Sequence, residues 1–181
     1  MKKEGGLDSN SVVTTIMSNL GLYKAFDELG INYEKTDVGD KNVHARMYEK
    51  DIELGGEQSG HVIIKKFANT GDGILTSLKV MEAMIESKND LKSLVRDLKI
   101  YPQVLINVRV KDKNTVLDNT NVKESIEKIE NKLGNSGRVL VRKSGTEPLI
   151  RVMVEAETEE VANQSASEIV STIKENGLSL D

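Results

Sequence analysis

Cysteine and tryptophan are absent from this chain of 181 residues, and phenylalanine occurs only twice. Without cysteine the chain forms no disulfide and no thiolate metal site. The scarcity of aromatic rings leaves isoleucine, valine, leucine and methionine to form the core. No apolar run approaches the roughly 20 residues that cross a bilayer. These absences predict a globular protein of the reducing cytoplasm with no membrane partner.

The chain also lacks a strong excess of either charge, since 25 basic and 29 acidic residues leave a net charge of −4. A mildly acidic chain has no general attraction for nucleic acid. We therefore predict no nucleic-acid partner, and expect a local cluster to hold any bound anion. His44 and His61 lie far apart and no Asp-x-Asp-x-Asp loop occurs, which predicts no metal site. Residues 1–6 are polar and lead into no apolar signal-peptide core.

Residues 1–99 alternate strand-like and helix-like patterns, which predicts an α/β three-layer domain with a mixed sheet. We predict strands at residues 12–17, 31–38, 52–54 and 61–67. We predict helices at residues 20–29, 43–50, 74–85 and 91–98.

The pattern changes near Lys99, and Tyr101-Pro102 ends the helical periodicity. We expect residues 100–181 to form a small α+β domain with helices on one antiparallel sheet. Its predicted strands are residues 104–110, 138–141 and 149–156, and its predicted helices are residues 121–133 and 159–174. The polar stretch at 111–123 is interpreted as a solvated loop.

The loop between the last two predicted strands carries groups suited to a phosphate. The candidate phosphate ligands are Arg142, Ser144, Gly145, Thr146 and Arg151. The first arginine presents a planar fork of N–H groups, and the second can turn its charge back toward the loop. The two hydroxyls add donors, and the glycine lets backbone N–H groups approach an anion. Small polar residues also form ordinary turns, so a plain hairpin turn remains open.

The glycine-rich loop at residues 55–61 is a second candidate site. Glu57 can accept hydrogen bonds from paired sugar hydroxyls, and Ser59 can both donate and accept. A histidine such as His61 can accept and donate protons. A glycine-rich turn with a structural histidine explains the same residues, and for His61 alone that interpretation is favoured.

A third candidate follows a predicted strand, where α/β sheets often place ligand loops. It consists of Gly39, Asp40 and Lys41. From the residues alone, Asp40 is better explained as the N-cap of the next helix.

Two of these loops resemble motifs of the α-D-phosphohexomutases. They read Gly-Gly-Glu-Gln-Ser-Gly-His at 55–61 and Arg-Lys-Ser-Gly-Thr-Glu-Pro at 142–148. Shorter stretches at 38–41, 70–73 and 101–103 are also similar, so the resemblance spans nearly the whole chain. Gln58 resembles the branch of the family that acts on glucosamine phosphates rather than on glucose or mannose phosphates.

The resemblance implies that residues 1–99 are the third domain and residues 100–181 the C-terminal domain of a four-domain enzyme. The first two domains, which carry a phosphoserine loop and a Mg²⁺ loop, are the expected partners from the same polypeptide. The chain itself is expected to bind no cofactor and to be inactive alone. Mg²⁺ and glucosamine 1,6-bisphosphate are expected for the whole enzyme.

The implied reaction interconverts glucosamine 6-phosphate and glucosamine 1-phosphate. The arginine loop would hold the phosphate that is not reacting, the glycine-rich loop and residues 39–41 would hold the sugar, and His61 would assist proton transfer. Lys143 stands where the family usually has proline, a change we do not expect to abolish phosphate binding. Two alternatives stay open: a phosphoglucomutase or phosphomannomutase of the same family, and a non-catalytic sugar-phosphate-binding module.

Overall fold

The computed structural model describes residue 7 and residues 9–180. Residues 1–6, for which the sequence predicts no signal peptide, lie outside the described part. The chain divides into two compact units, Met1–Ile100 and Tyr101–Asp181. No described helix is both long enough and apolar enough to cross a bilayer.

The first unit is an α/β domain, as predicted. Its elements are β1 (Ser11–Thr15), α1 (Leu20–Glu28), β2 (Asn32–Thr36), α2 (Asp40–Glu49), β3 (Leu54–Gly56), β4 (Val62–Ile64), α3 (Gly73–Ser87) and α4 (Leu91–Leu94). The strand order is β2-β1-β3-β4. The first three strands are parallel and β4 is antiparallel to β3. The expectation of a mixed sheet is thus confirmed.

Side-chain caps explain where two of these helices begin. The Asn19 side chain accepts a hydrogen bond from the Gly21 backbone N–H at 3.0 Å and starts α1. Asp72 accepts from the backbone N–H groups of Ile74 and Leu75, both at 2.9 Å, and starts α3. Each cap satisfies donors that the first helical turn leaves unpaired.

One face of the first sheet packs against α2. Val13 and Ile63 form a buried cluster there with Val43 and Met47 of the helix. Gly55 belongs to the same face, because a Cβ at this position would lie 2.4 Å from the Met47 sulfur. Close packing under α2, rather than backbone conformation, therefore requires this glycine.

The second unit is the predicted α+β domain. Its elements are β5 (Gln103–Arg109), α5 (Lys113–Asp118), α6 (Thr120–Leu133), a 3-10 turn (Gly134–Ser136), β6 (Arg138–Lys143), β7 (Leu149–Glu155) and α7 (Glu159–Glu175). The sheet order is β5-β7-β6, and both pairs are antiparallel. Helices α6 and α7 bury one face of this sheet, around Val108, Ile150 and Val152.

The predicted loop at residues 111–123 is wrong, because this stretch contains α5 and the start of α6. Asp112 caps α5 by accepting hydrogen bonds from the backbone of Asn114 at 2.9 Å and of Thr115 at 3.4 Å. Val116 is fully buried in the core of the second unit. A helix of six residues with one buried residue shows no periodicity that a sequence pattern can reveal.

Candidate functional site

Arg142 and Arg151 lie opposite each other in the β6–β7 register. Asn107 of β5 lies opposite Arg151 on its other side, so the three residues form one row across the sheet. The neighbouring Val141 and Val152 face the helices. Because side chains alternate along a strand, the row lies on the face away from α6 and α7. Asn107 was missed from the sequence, although strand alternation places it on this face.

One residue of this row, Arg151, forms an ion pair within the loop. Glu147 Oε2 lies 3.4 Å from Arg151 Nη2, and both side chains are partly exposed. An exposed pair of this kind contributes little stability. The Arg151 Nε atom is buried and has no hydrogen-bond partner in the described part of the chain. Like charges directly opposite each other destabilise a sheet, so the arrangement favours a bound anion.

The β6–β7 loop turns tightly beside these arginines. Ser144 is buried; its backbone N–H donates to the Leu149 carbonyl at 3.0 Å, and its Oγ accepts from the Glu147 N–H at 3.3 Å. The Ser144 hydroxyl proton is not used in that contact. Thr146 is exposed, and a Cβ on Gly145 would meet nothing within 4 Å. The fold itself therefore does not require glycine at position 145.

Two further residues near the loop, Lys113 and Asn114, were missed because α5 was predicted as a solvated loop. Lys113 Nζ donates to the Ser144 carbonyl at 2.8 Å and to the Glu147 carbonyl at 3.3 Å. The Lys143 ammonium hydrogen-bonds the Asn114 side chain. The sequence signal that could have identified them is the capping aspartate, Asp112, directly before them. The start of α5 thus fixes the backbone of the β6–β7 loop.

In the first unit, the β3–β4 loop closes on itself. The Glu57 N–H donates to the His61 carbonyl at 2.9 Å, and the Gly60 N–H donates to the Glu57 carbonyl at 3.0 Å. Gly60 has φ +88°, a conformation that favours glycine. Ser59 lies exposed in this turn.

Glu57 connects this loop to the start of α2. Its Oε1 accepts a hydrogen bond from the Gly39 N–H at 2.7 Å. Gly39 has φ +125° and is the N-cap of α2, so a carboxylate lies at the positive end of a helix. The structure therefore brings together two candidate loops that are separate in sequence.

The interpretation of Asp40 as the helix N-cap is wrong. Gly39 is the N-cap and Asp40 is the first helical residue. Asp40 Oδ1 accepts a hydrogen bond from the adjacent Lys41 N–H at 2.8 Å. Because Gly39 adopts a left-handed φ, the helix begins one residue earlier than it would with Asp40 as the N-cap. Asp40 Oδ2 then faces His61. Lys41 is exposed.

His61 lies between Asp40 and the backbone of Gly71. Its Nε2 is 3.8 Å from Asp40 Oδ2, beyond hydrogen-bond distance. A Cβ on Gly71 would lie 2.2 Å from the imidazole ring. Nε2 is buried and makes no hydrogen bond in the described structure, which is unusual for a buried polar atom. In the described residues, no three His, Asp or Glu side chains cluster closely enough to hold a metal ion.

Sequence models of two protein domains match this chain. The model of phosphoglucomutase/phosphomannomutase α/β/α domain III matches residues 1–101. The model of the phosphoglucomutase/phosphomannomutase C-terminal domain matches residues 105–172.

The chain belongs to this phosphohexomutase family. It is 53% identical to a phosphoglucosamine mutase of Lachnospira eligens over 98% of this chain and 39% of the relative. It is 52% identical to a phosphoglucosamine mutase of Lachnoclostridium phytofermentans over 98% of this chain and 40% of the relative. The chain therefore spans about two fifths of the length of these phosphohexomutases, and corresponds to a fragment of such an enzyme.

Solved structures of phosphohexomutases have the same fold. An Aspergillus fumigatus N-acetylphosphoglucosamine mutase superposes with a TM-score of 0.79 at 18% identity, over 92% of this chain and 38% of that one. An N-acetylglucosamine-phosphate mutase in its substrate complex superposes with a TM-score of 0.75 at 22% identity, over 90% of this chain and 38% of that one. At these identities, the likeness establishes the fold alone.

Proposed function

We propose that this chain is the substrate-binding half of a phosphoglucosamine mutase, which interconverts glucosamine 6-phosphate and glucosamine 1-phosphate on the route to UDP-N-acetylglucosamine. The observation that carries the proposal is the 53% identity to the L. eligens phosphoglucosamine mutase along 98% of this chain. The geometry of the two loops supports it. Because 39% of that relative is covered, activity is assigned to the whole polypeptide.

In this proposal the β6–β7 loop binds the phosphate that is not reacting. Arg142 and Arg151 project from opposed positions on one face of the sheet, and guanidinium groups match phosphate oxygens with paired N–H donors. The Ser144 and Thr146 hydroxyls and the backbone at Gly145 supply further donors. An anion between the arginines also removes the repulsion between them.

The β3–β4 loop and the start of α2 hold the sugar. Glu57 Oε1 accepts the hydrogen bond from the Gly39 N–H, so Oε2 can accept a hydrogen bond from the substrate. Ser59 and Lys41 are exposed near these groups and can donate to sugar hydroxyls. The carboxylates of Glu57 and Asp40 attract the protonated amino group of glucosamine phosphate more than the neutral hydroxyl of glucose phosphate.

His61 assists proton transfer. The sugar hydroxyl that attacks the phosphoryl group must lose a proton, and a neutral imidazole can accept it. Asp40, at 3.8 Å, then stabilises the resulting imidazolium. Apart from this proton transfer, the chain contributes by positioning the phosphosugar, and phosphoryl transfer depends strongly on positioning.

The phosphoryl donor, a phosphoserine, and the Mg²⁺ site are assigned to the preceding domains, with glucosamine 1,6-bisphosphate as intermediate. Mg²⁺ supplies charge neutralisation at the transferred phosphoryl group. The A. fumigatus N-acetylphosphoglucosamine mutase has been solved in complex with GlcNAc-6P and magnesium.

The test compares the whole polypeptide with this chain. The whole polypeptide should convert glucosamine 6-phosphate, while this chain alone should bind it without turnover. Conversion by this chain alone would refute the assignment of chemistry to the preceding domains. If the whole polypeptide binds the ligand without converting it, the chain is a non-catalytic sugar-phosphate module. The family model, named for phosphoglucomutase and phosphomannomutase, supports the second candidate, an enzyme that prefers glucose or mannose phosphates.

A further inference from the structure

The face of the second sheet away from α6 and α7 balances charge differently at its two ends. At one end Arg138 lies opposite Glu155 in the register. Arg138 Nε is 2.6 Å from Glu155 Oε2, and the Glu155 side chain is fully buried. The next row on this face is apolar, with Leu140 opposite Met153. A cross-strand acid therefore offsets the arginine at this end of the sheet.

The row nearest the β6–β7 loop contains no acidic residue. It consists of Asn107, Arg151 and Arg142, in register across the three strands. On β5 an amide therefore stands where a carboxylate would pair with Arg151. Glu147, which approaches this arginine to 3.4 Å, belongs to the loop, and its side chain is 56% exposed. The sheet thus keeps two arginines and omits a cross-strand acid at the end where phosphate is proposed to bind.

Arg109 brings a third arginine to the same end of this face. Val108 lies in the core beside α6 and α7, so alternation along β5 puts Arg109 on the same face as Arg151. Arg109 pairs with Leu149, two residues before Arg151. Such diagonal neighbours are roughly 7–8 Å apart, within reach of long side chains. Asn107 and Arg109 are exposed, and within the described residues their side chains make no hydrogen bond or ion pair.

We propose that Asn107 and Arg109 of β5 are further phosphate-binding residues, so that the bound phosphate lies against all three strands of the second sheet. Arg109 donates guanidinium N–H groups to the phosphate from the side of β7 opposite Arg142. Asn107 donates an amide N–H to the same phosphate. Because Asn107 is neutral, it leaves the Arg151 guanidinium to the ligand rather than to a cross-strand carboxylate. The inference rests on the proposed binding of phosphate by the β6–β7 loop and adds β5 to that site.

Substitutions in the whole polypeptide test both residues, with kcat and KM for glucosamine 6-phosphate and the thermal midpoint as the measurements. Arg109→Ala should raise KM about tenfold, because it removes charge-assisted hydrogen bonds, and Arg109→Lys should restore part of the loss. Asn107→Ala should raise KM about threefold. Asn107→Asp should raise KM more than Asn107→Ala without lowering the thermal midpoint, because its carboxylate pairs with Arg151 and repels phosphate. Lys132→Ala, at an exposed position of α6, is the control for loss of one positive charge.

Arg142→Ala, measured in parallel, separates this inference from the proposed function. If Arg142→Ala raises KM while the variants at Asn107 and Arg109 leave it unchanged, β5 takes no part in phosphate binding and the inference is overturned. If Arg142→Ala also leaves KM unchanged, the assignment of the β6–β7 loop to phosphate fails, and this inference fails with it. An equal rise in KM for Lys132→Ala would assign the effect to net charge and would overturn the inference too. Arg109→Gln replaces Arg109→Ala if the alanine variant does not fold.

Discussion

Arg142 and Arg151 lie directly opposite each other on neighbouring antiparallel strands, on the face of the sheet away from α6 and α7. Like charges directly opposite each other destabilise a sheet, and a bound anion offsets that repulsion. This relationship supports the proposal that the β6–β7 loop binds phosphate, and single substitutions at these positions can test that role.

Arg142→Ala in the whole polypeptide should weaken phosphate anchoring by one or two charge-assisted hydrogen bonds, on the order of 2–4 kcal/mol. The measurement is kcat/KM for glucosamine 6-phosphate. Arg142→Lys keeps the positive charge but loses the paired guanidinium N–H donors, so kcat/KM should fall less than in Arg142→Ala. Lys132→Ala, at an exposed position of α6, serves as the control. An unchanged kcat/KM for Arg142→Ala would remove Arg142 from the site.

Lys113→Met should raise KM for the phosphosugar because it removes both hydrogen bonds to the loop carbonyls. We expect a loss of about 1–1.5 kcal/mol in binding, with kcat much less affected. Lys111→Met, two residues earlier and exposed, is the matched control. If the two variants have the same KM, α5 does not position the loop.

Lys143→Pro should retain phosphate binding within about threefold, because the donors on either side are unchanged. The substitution removes the bond to Asn114, but that contact is exposed and contributes little. Isothermal titration with glucosamine 6-phosphate checks this. Loss of binding would mean that the lysine side chain itself contacts the phosphate.

Asp112 should make the start of α5 sensitive to acid. Hydrogen bonds from the Thr115 side chain and then from the Asn114 backbone lower the pKa of this carboxyl below its ordinary value. A lowered folded-state pKa stabilises the folded state above the ordinary aspartate range, and that contribution is lost as pH falls through the lowered pKa. The Asn114 amide resonance should therefore titrate below the ordinary range. In Asp112→Asn that transition should vanish while the cap remains; a transition that persists would assign it to another group.

Gly71→Ala should displace His61, because the added Cβ would fall 2.2 Å from its ring. We expect kcat to fall by about 10- to 100-fold if His61 transfers a proton, with a smaller effect on KM. Gly73→Ala is the control, since a Cβ there meets nothing within 4 Å. Equal kcat values for the two variants would contradict a role for the His61 position.

Much of the fold could be predicted because its helices and strands carry periodic apolar residues. The β5 and β7 strands and the long helices α3 and α7 follow this rule. The six-residue helix α5 does not, so Lys113 and Asn114 were missed. The start of α2 at Asp40 depends on the left-handed φ of Gly39, which the sequence cannot give.

The candidate site was predictable as separate loops but not as a set of contacts. The bond from the Gly39 N–H to Glu57 joins segments 18 residues apart, and the opposition of Arg142 and Arg151 depends on strand register. Long-range pairing of this kind is fixed by packing and turn geometry rather than by local propensity.

Turnover of the whole polypeptide on glucosamine, glucose and mannose phosphates, compared by kcat/KM under the same conditions, tests the central claim most directly. The carboxylates of Asp40 and Glu57 predict the highest kcat/KM for glucosamine 6-phosphate, with reduced preference in Asp40→Asn. Equal or better turnover of glucose 1-phosphate would contradict the assignment to glucosamine phosphate.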